Sequence, residues 1–380
     1  MSSRTLKFAR YRGVLNGDSC ILINISNSLD TLMKEKIFVA ALCCSGSVFA
    51  QSSVTLYGLI DAGVTYTNNV ATPIGHGSEI QLLSGSSQGN RWGMTGVEDL
   101  GGGLKAIFTL ENGFNIGTGA LGQGGLLFGR QAFVGLDGNW GTLTIGRQYD
   151  FIGSVFPAYA IASNTPAGLL AFSLPAYAAG AYSLDNRIWG DDVNNSVKYR
   201  SASMAGFSLG AMYGFGNVAG SIGTNSSSNF ILNYDNGTFS TSLAYMSIHN
   251  ATGTANSSEF AGGTAYNLGK VRIFALVTDV QLSSGTKARA STYEGGIAYL
   301  VEPSVSLGGG YQFQRRNNGL GSANQVVLSA DYFLSKRTDV YVVGALAHDH
   351  GFGAQTQAAL GAPSSTDVQT AIRTGIRHKF

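Results

Sequence analysis

Charge is scarce in this sequence. Lys, Arg, Asp and Glu together make up 12% of its 380 residues, about half the share carried by soluble globular domains. Cysteine is scarcer still, and Cys20, Cys43 and Cys44 all fall within the first 44 residues. A disulfide framework and thiol chemistry are therefore excluded from the rest of the chain. Long apolar runs are missing too: after position 50 nothing approaches the 18 or so apolar residues that a membrane-spanning helix needs. Low charge without a helical span leaves one membrane solution. Lipid offers no partners to backbone N–H and C=O groups, so the chain must close on itself as a β-barrel. What is abundant agrees with this: 53 Gly, and 17 Tyr and 20 Phe against 3 Trp, the stock from which barrels build aromatic girdles at the two membrane interfaces.

The first 50 residues read as processing signals. Met33-Lys34-Glu35-Lys36 forms a short basic head, Ile37 to Cys44 an apolar stretch too short to span, and Ser47-Val48-Phe49-Ala50 a small-x-small cleavage site. Met33 is the expected initiator, residues 33–50 the signal peptide and Gln51 the first mature residue; residues 1–32 form an upstream extension that a mis-called start would explain. Bulky Leu42 and Cys43 argue against a lipoprotein site at Cys43 or Cys44. Without the leader, 18 Lys/Arg face 19 Asp/Glu, a net charge near −1. The basic character belongs to the leader, and nucleic-acid binding loses its main argument.

The mature chain alternates with period two almost throughout, the signature of strands. In Ser304–Gln314 one face reads Val305, Leu307, Gly309, Tyr311, Phe313 and the other is Ser, Gly or Gln. Val197 and Tyr199 alternate with Lys198 and Arg200, and Ile372, Thr374 and Ile376 with Arg373 and Arg377. A soluble sandwich would also alternate, but strands of roughly 8 to 14 residues reach across a tilted bilayer path. Sixteen strands are expected, beginning near Ser53, Gln88, Leu104, Leu126, Thr142, Asn194, Gly206, Asn229, Thr238, Ser258, Lys270, Ala290, Ser304, Asn324, Asp339 and Thr370. Tight links such as Asn236-Gly237 alternate with longer ones at 68–87, 116–125, 150–193, 217–228, 249–257, 282–289, 317–323 and 351–369. That is the plan of an all-β, antiparallel, up-and-down transmembrane barrel with short periplasmic and long external ends, wide enough for an aqueous channel.

Several passages resemble the Gram-negative general porins of the Burkholderia and Neisseria type. They are Ser53-Val54-Thr55-Leu56-Tyr57-Gly58-Leu59-Ile60-Asp61-Ala62-Gly63, Arg91-Trp92-Gly93 with Gly96-Val97-Glu98-Asp99-Leu100-Gly101, and Phe128-Gly129-Arg130-Gln131-Ala132-Phe133-Val134-Gly135-Leu136. Gly146-Arg147-Gln148, Asn195-Ser196-Val197-Lys198-Tyr199 and the ending Gly375-Ile376-Arg377-His378-Lys379-Phe380 complete the set. The likeness spans residues 51–380; Ala202 departs from a Pro usual in the family. It implies passive diffusion of small hydrophilic solutes and ions through a homotrimer in the Gram-negative outer membrane. The implied partners are outer-membrane lipid, lipopolysaccharide and the barrel-assembly machinery, the last reading the terminal Phe380. A substrate-selective channel on the same barrel is the alternative.

The resemblance also implies that the longest loop, 150–193, folds inward and that Arg91, Arg130 and Arg147 form the basic side of the constriction facing it. The physical reason is that Arg facing mid-bilayer lipid costs about 2–4 kcal/mol, whereas charges in a narrow pore set ion preference. Strict alternation strains one assignment. Arg147 shares parity with Leu143 and Ile145, so a lumenal Arg147 would turn Thr142, Thr144 and Gly146 outward, into a subunit interface. Lys198, Arg200, Arg272 and Arg187 extend the basic set; Glu111, Asp150, Asp185, Asp191 and Asp192 form the acidic one. Mild anion preference is expected.

Catalysis finds little support. His348 and His350 flank Asp349 on one strand face at an external rim, with no third ligand in sequence. Gly101-Gly102-Gly103 and Gly308-Gly309-Gly310 lack the Lys-Ser/Thr step of a phosphate loop. No cofactor, metal or nucleic-acid partner is expected.

Overall fold

A computed structural model of the chain describes residues 53–168, 192–250, 256–283, 287–351, 354–356 and 364–380. The leader and extension assigned to residues 1–50 lie outside the described residues, as do Asp185, Arg187 and Asp191.

Seventeen strand segments form one antiparallel sheet. The first six are β1 (Ser53–Thr72), β2 (Gly75–Ser84), β3 (Arg91–Gly101), β4 (Leu104–Gly113), β5 (Gln131–Gly138) and β6 (Gly141–Tyr149). After the long loop come β7 (Asp192–Ser201), β8 (Phe207–Gly214), β9 (Ser227–Asp235), β10 (Phe239–His249), β11 (Asn256–Leu268) and β12 (Val271–Leu282). The last are β13 (Arg289–Glu302), β14 (Val305–Arg316), β15 (Ser322–Phe333), β16 (Thr338–His350) and β17 (Val368–Lys379). Both β2 and β3 pair with β1, along its later and earlier halves. They occupy one position in the wall, so the barrel has sixteen strands. It closes where β17 meets β1, from Leu59↔Lys379 to Thr67↔Ala371. Phe380 finishes the seam, exchanging backbone hydrogen bonds of 3.0 Å with Gly58.

Most expected strand starts fall within three residues of the observed ones. The expected link at 68–87 does not. Most of it is strand, since β1 runs on to Thr72, turns at Pro73-Ile74 and returns as β2. Asn69, with φ +51°, sits at a register shift between Thr67 and Val70, so Asn-Asn here marks a bulge rather than a loop. The fifth strand also starts later than expected, at Gln131 rather than Leu126, which leaves Arg130 just outside it.

Each strand shows one apolar face to the outside. Leu243 and Tyr245 are exposed while Ala244 and Met246 on the same strand are buried; Leu307 and Tyr311 are exposed while Gln312 and Gln314 are buried. In a membrane the outer set meets lipid. The inner set is partly apolar as well, because the long loop lies on it. From Asp150 the chain forms α1 (Phe151–Val155), a 3-10 turn (Phe156–Tyr159) and α2 (Ile161–Asn164). Phe151, Ile152, Phe156 and Ile161 are fully buried against an inner patch that includes Met212, Ile231, Met246 and Phe274. At about 2 kcal/mol of gross hydrophobic gain for each side chain, this contact holds the loop on the wall.

Glycine makes the approach possible. A Cβ at Gly263 would overlap the Tyr159 ring, and one at Gly310 would press into Ile161. Gly263→Val is therefore expected to lift the 3-10 turn off the wall. The refolded variant should show larger and noisier single-channel currents than the parent, with the barrel still heat-modifiable on gels.

Candidate functional site

The functional candidate is the inner wall where the loop leaves it. Three neighbouring strands bring Tyr57, Gly93 and Glu111 into one lateral row, through the pairs Tyr57↔Gly93 and Gly93↔Glu111. Glu111 is nearly buried and collects the surrounding donors. Arg130 Nε donates to its Oε1 at 2.7 Å and Tyr149 Oη at 3.1 Å, while Tyr57 Oη donates to Oε2 at 2.7 Å. Arg91 Nε lies 3.7 Å from the same Oε2. The Arg130 guanidinium also sits over the Tyr149 ring, 5.5 Å from its centre.

Arg147 joins through a second carboxylate. Its Nη2 lies 3.2 Å from Asp192 Oδ2, Nη1 donates to Asn194 Oδ1 at 2.7 Å, and Nε donates to the Gly129 carbonyl at 2.7 Å. The parity problem is resolved by the backbone. Gly146 has φ +143°, a conformation essentially reserved for glycine, and the β6–β7 register shifts between Gly146 and Gln148. A bulge re-aims the side chains beyond it, so Arg147 is released from the face of Leu143 and Ile145. Correspondingly Ile145 is exposed and Thr144 buried, the reverse of the outward Thr144 that strict alternation requires.

The other candidates serve the loop. Asp150 caps α1, its Oδ1 accepting from Gly153 N at 2.6 Å. Lys198 Nζ donates to the Tyr149 carbonyl at 2.8 Å and lies 4.6 Å over the Phe151 ring. Arg272 holds the loop on the far wall through Asn164 Oδ1 at 2.8 Å and the Ala158 carbonyl at 2.9 Å. Arg200 is exposed and shares the face of Lys198, toward the short-turn end. His348 and His350 stand at the external rim, ring centres 4.1 Å apart. Among the described residues no three His, Cys, Asp or Glu side chains gather as metal ligands.

One assembly has no counterpart in the sequence reasoning. Where barrel strand two is interrupted between β2 and β3, the backbone folds onto buried Asp61, which accepts from Gln88 N at 3.0 Å and Tyr341 Oη at 2.8 Å. Beside it, buried Arg373 donates to Thr65 Oγ1 at 2.8 Å and to the carbonyls of Ser86, at 2.5 Å, and Ala167, at 3.2 Å. The described end of the loop is thereby fastened to the opposite wall. The signal in the sequence was Asp61, the one charge of its strand, and Arg373, on the polar face of the last strand.

In chemical terms, three guanidiniums and two carboxylates converge on one stretch of inner wall, each arginine about one-fifth exposed. The loop stretch described opposite, residues 151–168, brings no charged residue. A family model described as Gram-negative porin matches residues 38–351. The chain belongs to the Gram-negative porins. Among relatives, outer membrane porin protein 32 of Delftia acidovorans is 31% identical, covering 92% of this chain and all of that protein. An outer membrane porin protein of Bordetella pertussis is 29% identical over the same shares, and a major outer membrane protein P.IB of Neisseria gonorrhoeae is 26% identical over 91% of this chain and all of its own. Among solved structures, an anion-selective porin from Comamonas acidovorans superposes with a TM-score of 0.75 at 27% identity, covering 87% of this chain and all of that one. The protein is thus an outer-membrane porin, a channel-forming barrel of the Gram-negative outer membrane.

Proposed function

We propose that this porin passes small hydrophilic solutes and ions by passive diffusion with a mild preference for anions, and that Arg91, Arg130 and Arg147 form the basic side of its constriction. The observation carrying this reading is the charge imbalance of the wall cluster among the described residues: three arginines, with Glu111 and Asp192 paired to them. A guanidinium keeps its charge at any working pH, so the surplus persists. The anion-selective porin that superposes on this chain adds support. For a homotrimer the support is the family resemblance. For Phe380 as the signal read by the assembly machinery, the support is its position at the seam with Gly58.

Liposome swelling tests the reading. Vesicles containing the refolded chain 51–380 should swell fastest in an anionic sugar acid, more slowly in a neutral sugar of equal size and slowest in an amino sugar. Equal rates would reject the anion preference. Rates that saturate for one solute would favour a substrate-selective channel. Two further outcomes follow from the charge balance. Glu111→Gln removes one of the two carboxylates and should raise the anion-to-cation permeability ratio. The preference should also shrink between 0.1 M and 1 M salt, as the screening length falls from about 10 to about 3 Å; zero-current potentials at the two strengths measure it.

A further inference from the structure

Beside Arg147 the inner wall holds a recess that ion preference leaves without a role. It lies where β7–β10 reach their external ends and encloses about 290 Å³. Asp192 and Asn194, the two side chains that hold Arg147, form one side of it. Gly214 and Ser227, opposite each other in the β8–β9 register, form its floor. Both face inward, since they share the faces of buried Met212 and Ile231. A Cβ at Gly214 would come within 2.6 Å of Ser227 Oγ, so glycine keeps the floor hollow. Ile248 and Phe215 supply apolar surface. His249, the last residue of β10, also lines the recess, and its Nδ1 is buried with no hydrogen-bond partner among the described residues.

We propose that this recess binds a neutral monosaccharide, one sugar ring at a time. Size points to a single ring: about 290 Å³ falls at the small end of ligand pockets, which run from about 300 to 1,000 Å³. Charge argues against an ion. Among the described residues Asp192 is the one charged group of the lining, and Arg147 answers it at 3.2 Å. The remaining lining matches a pyranose in kind. Its amide, hydroxyl and imidazole groups can each take a sugar hydroxyl, and exposed Phe215 beside Ile248 offers an apolar surface to the C–H face of the ring. A hydroxyl both donates and accepts, so it satisfies the Nδ1 of His249 in either tautomer. The inference rests on the passage of small hydrophilic solutes proposed above, and not on the anion preference.

Saturation-transfer NMR on the refolded chain 51–380 in non-ionic detergent tests it, with D-glucose as the probe and D-sorbitol, the open-chain polyol, as the control. Glucose should bind saturably, and sorbitol more weakly for want of a ring. His249→Phe keeps an aromatic ring but removes Nδ1, and should weaken glucose about fivefold, the worth of one neutral hydrogen bond. Phe215→Ser removes the apolar face and should weaken it by a comparable factor. Both residues lie at strand ends outside the arginine cluster, so the heat-modifiable band and the zero-current potential should match the parent. Binding needs no open pore, which keeps the two readings apart. Saturable glucose binding by a barrel that carries no current would support the site and reject diffusion. A conducting barrel without such binding overturns the site alone. Parent-like affinity in both folded variants, or equal binding of sorbitol and glucose by the parent, overturns it as well.

Discussion

Replacing Arg91, Arg130 and Arg147 together by serine is expected to reverse the proposed anion preference into a cation preference. The cluster as it stands carries three positive and two negative groups. Of the described members of this cluster the triple variant keeps Glu111 and Asp192, so their summed charge passes from a surplus of one cation to two uncompensated anions. In a narrow passage such charges act across a low-dielectric wall and dominate ion entry. Under a tenfold KCl gradient the zero-current potential should change sign and move by roughly 20 mV or more, against a limit of about 59 mV for perfect univalent selectivity. Tyr57 and Tyr149 continue to donate to Glu111, which keeps that carboxylate hydrogen-bonded and favours a folded variant. A potential that stays on the anion side would place selectivity elsewhere in the pore and remove these arginines from the account.

The second large effect concerns the fastening of the loop. Arg373→Ala withdraws the donor shared by Thr65, Ser86 and Ala167 and removes the cation beside buried Asp61. Stripping one partner from a buried charged network costs about 3–5 kcal/mol. The far end of the loop should then leave the wall while its near end stays capped by Asp150 and packed through Phe151 and Phe156. Three outcomes are expected: a higher single-channel conductance, more frequent current fluctuations and a lower temperature of heat unfolding on gels. Arg373→Lys restores the charge but not the fork of donors, and should recover stability more fully than it recovers quiet current. Parent-like conductance in the folded alanine variant would show that the apolar contacts and the Arg272 hydrogen bonds hold the loop without Arg373.

The barrel was legible because its two determinants act locally. Alternation such as that of Val305 to Phe313 follows from strand geometry, and the lack of apolar runs excludes the helical alternative without reference to tertiary structure. The inward loop was legible only through the family resemblance, although β12 carried a physical trace of it. Ile273, Ala275 and Val277 are apolar on one face and Phe274 and Leu276 on the other, which a strand between lipid and water would not need. The reading failed where one residue changes the backbone. Asn69 and Gly146, both at positive φ, shift the strand register, and a period-two count has no means of detecting them. Cooperation among distant charges was likewise beyond reach: Asp61 and Arg373 are 312 positions apart in sequence and meet only because the last strand closes on the first.

The most direct measurement is single-channel recording of the refolded chain 51–380 in a planar bilayer under a KCl gradient. An open, ohmic channel with an anion-favouring zero-current potential is the expected result, and current steps in threes would add the homotrimer. A correctly folded barrel that carries no current, or one whose potential favours cations, would contradict an open pore governed by Arg91, Arg130 and Arg147.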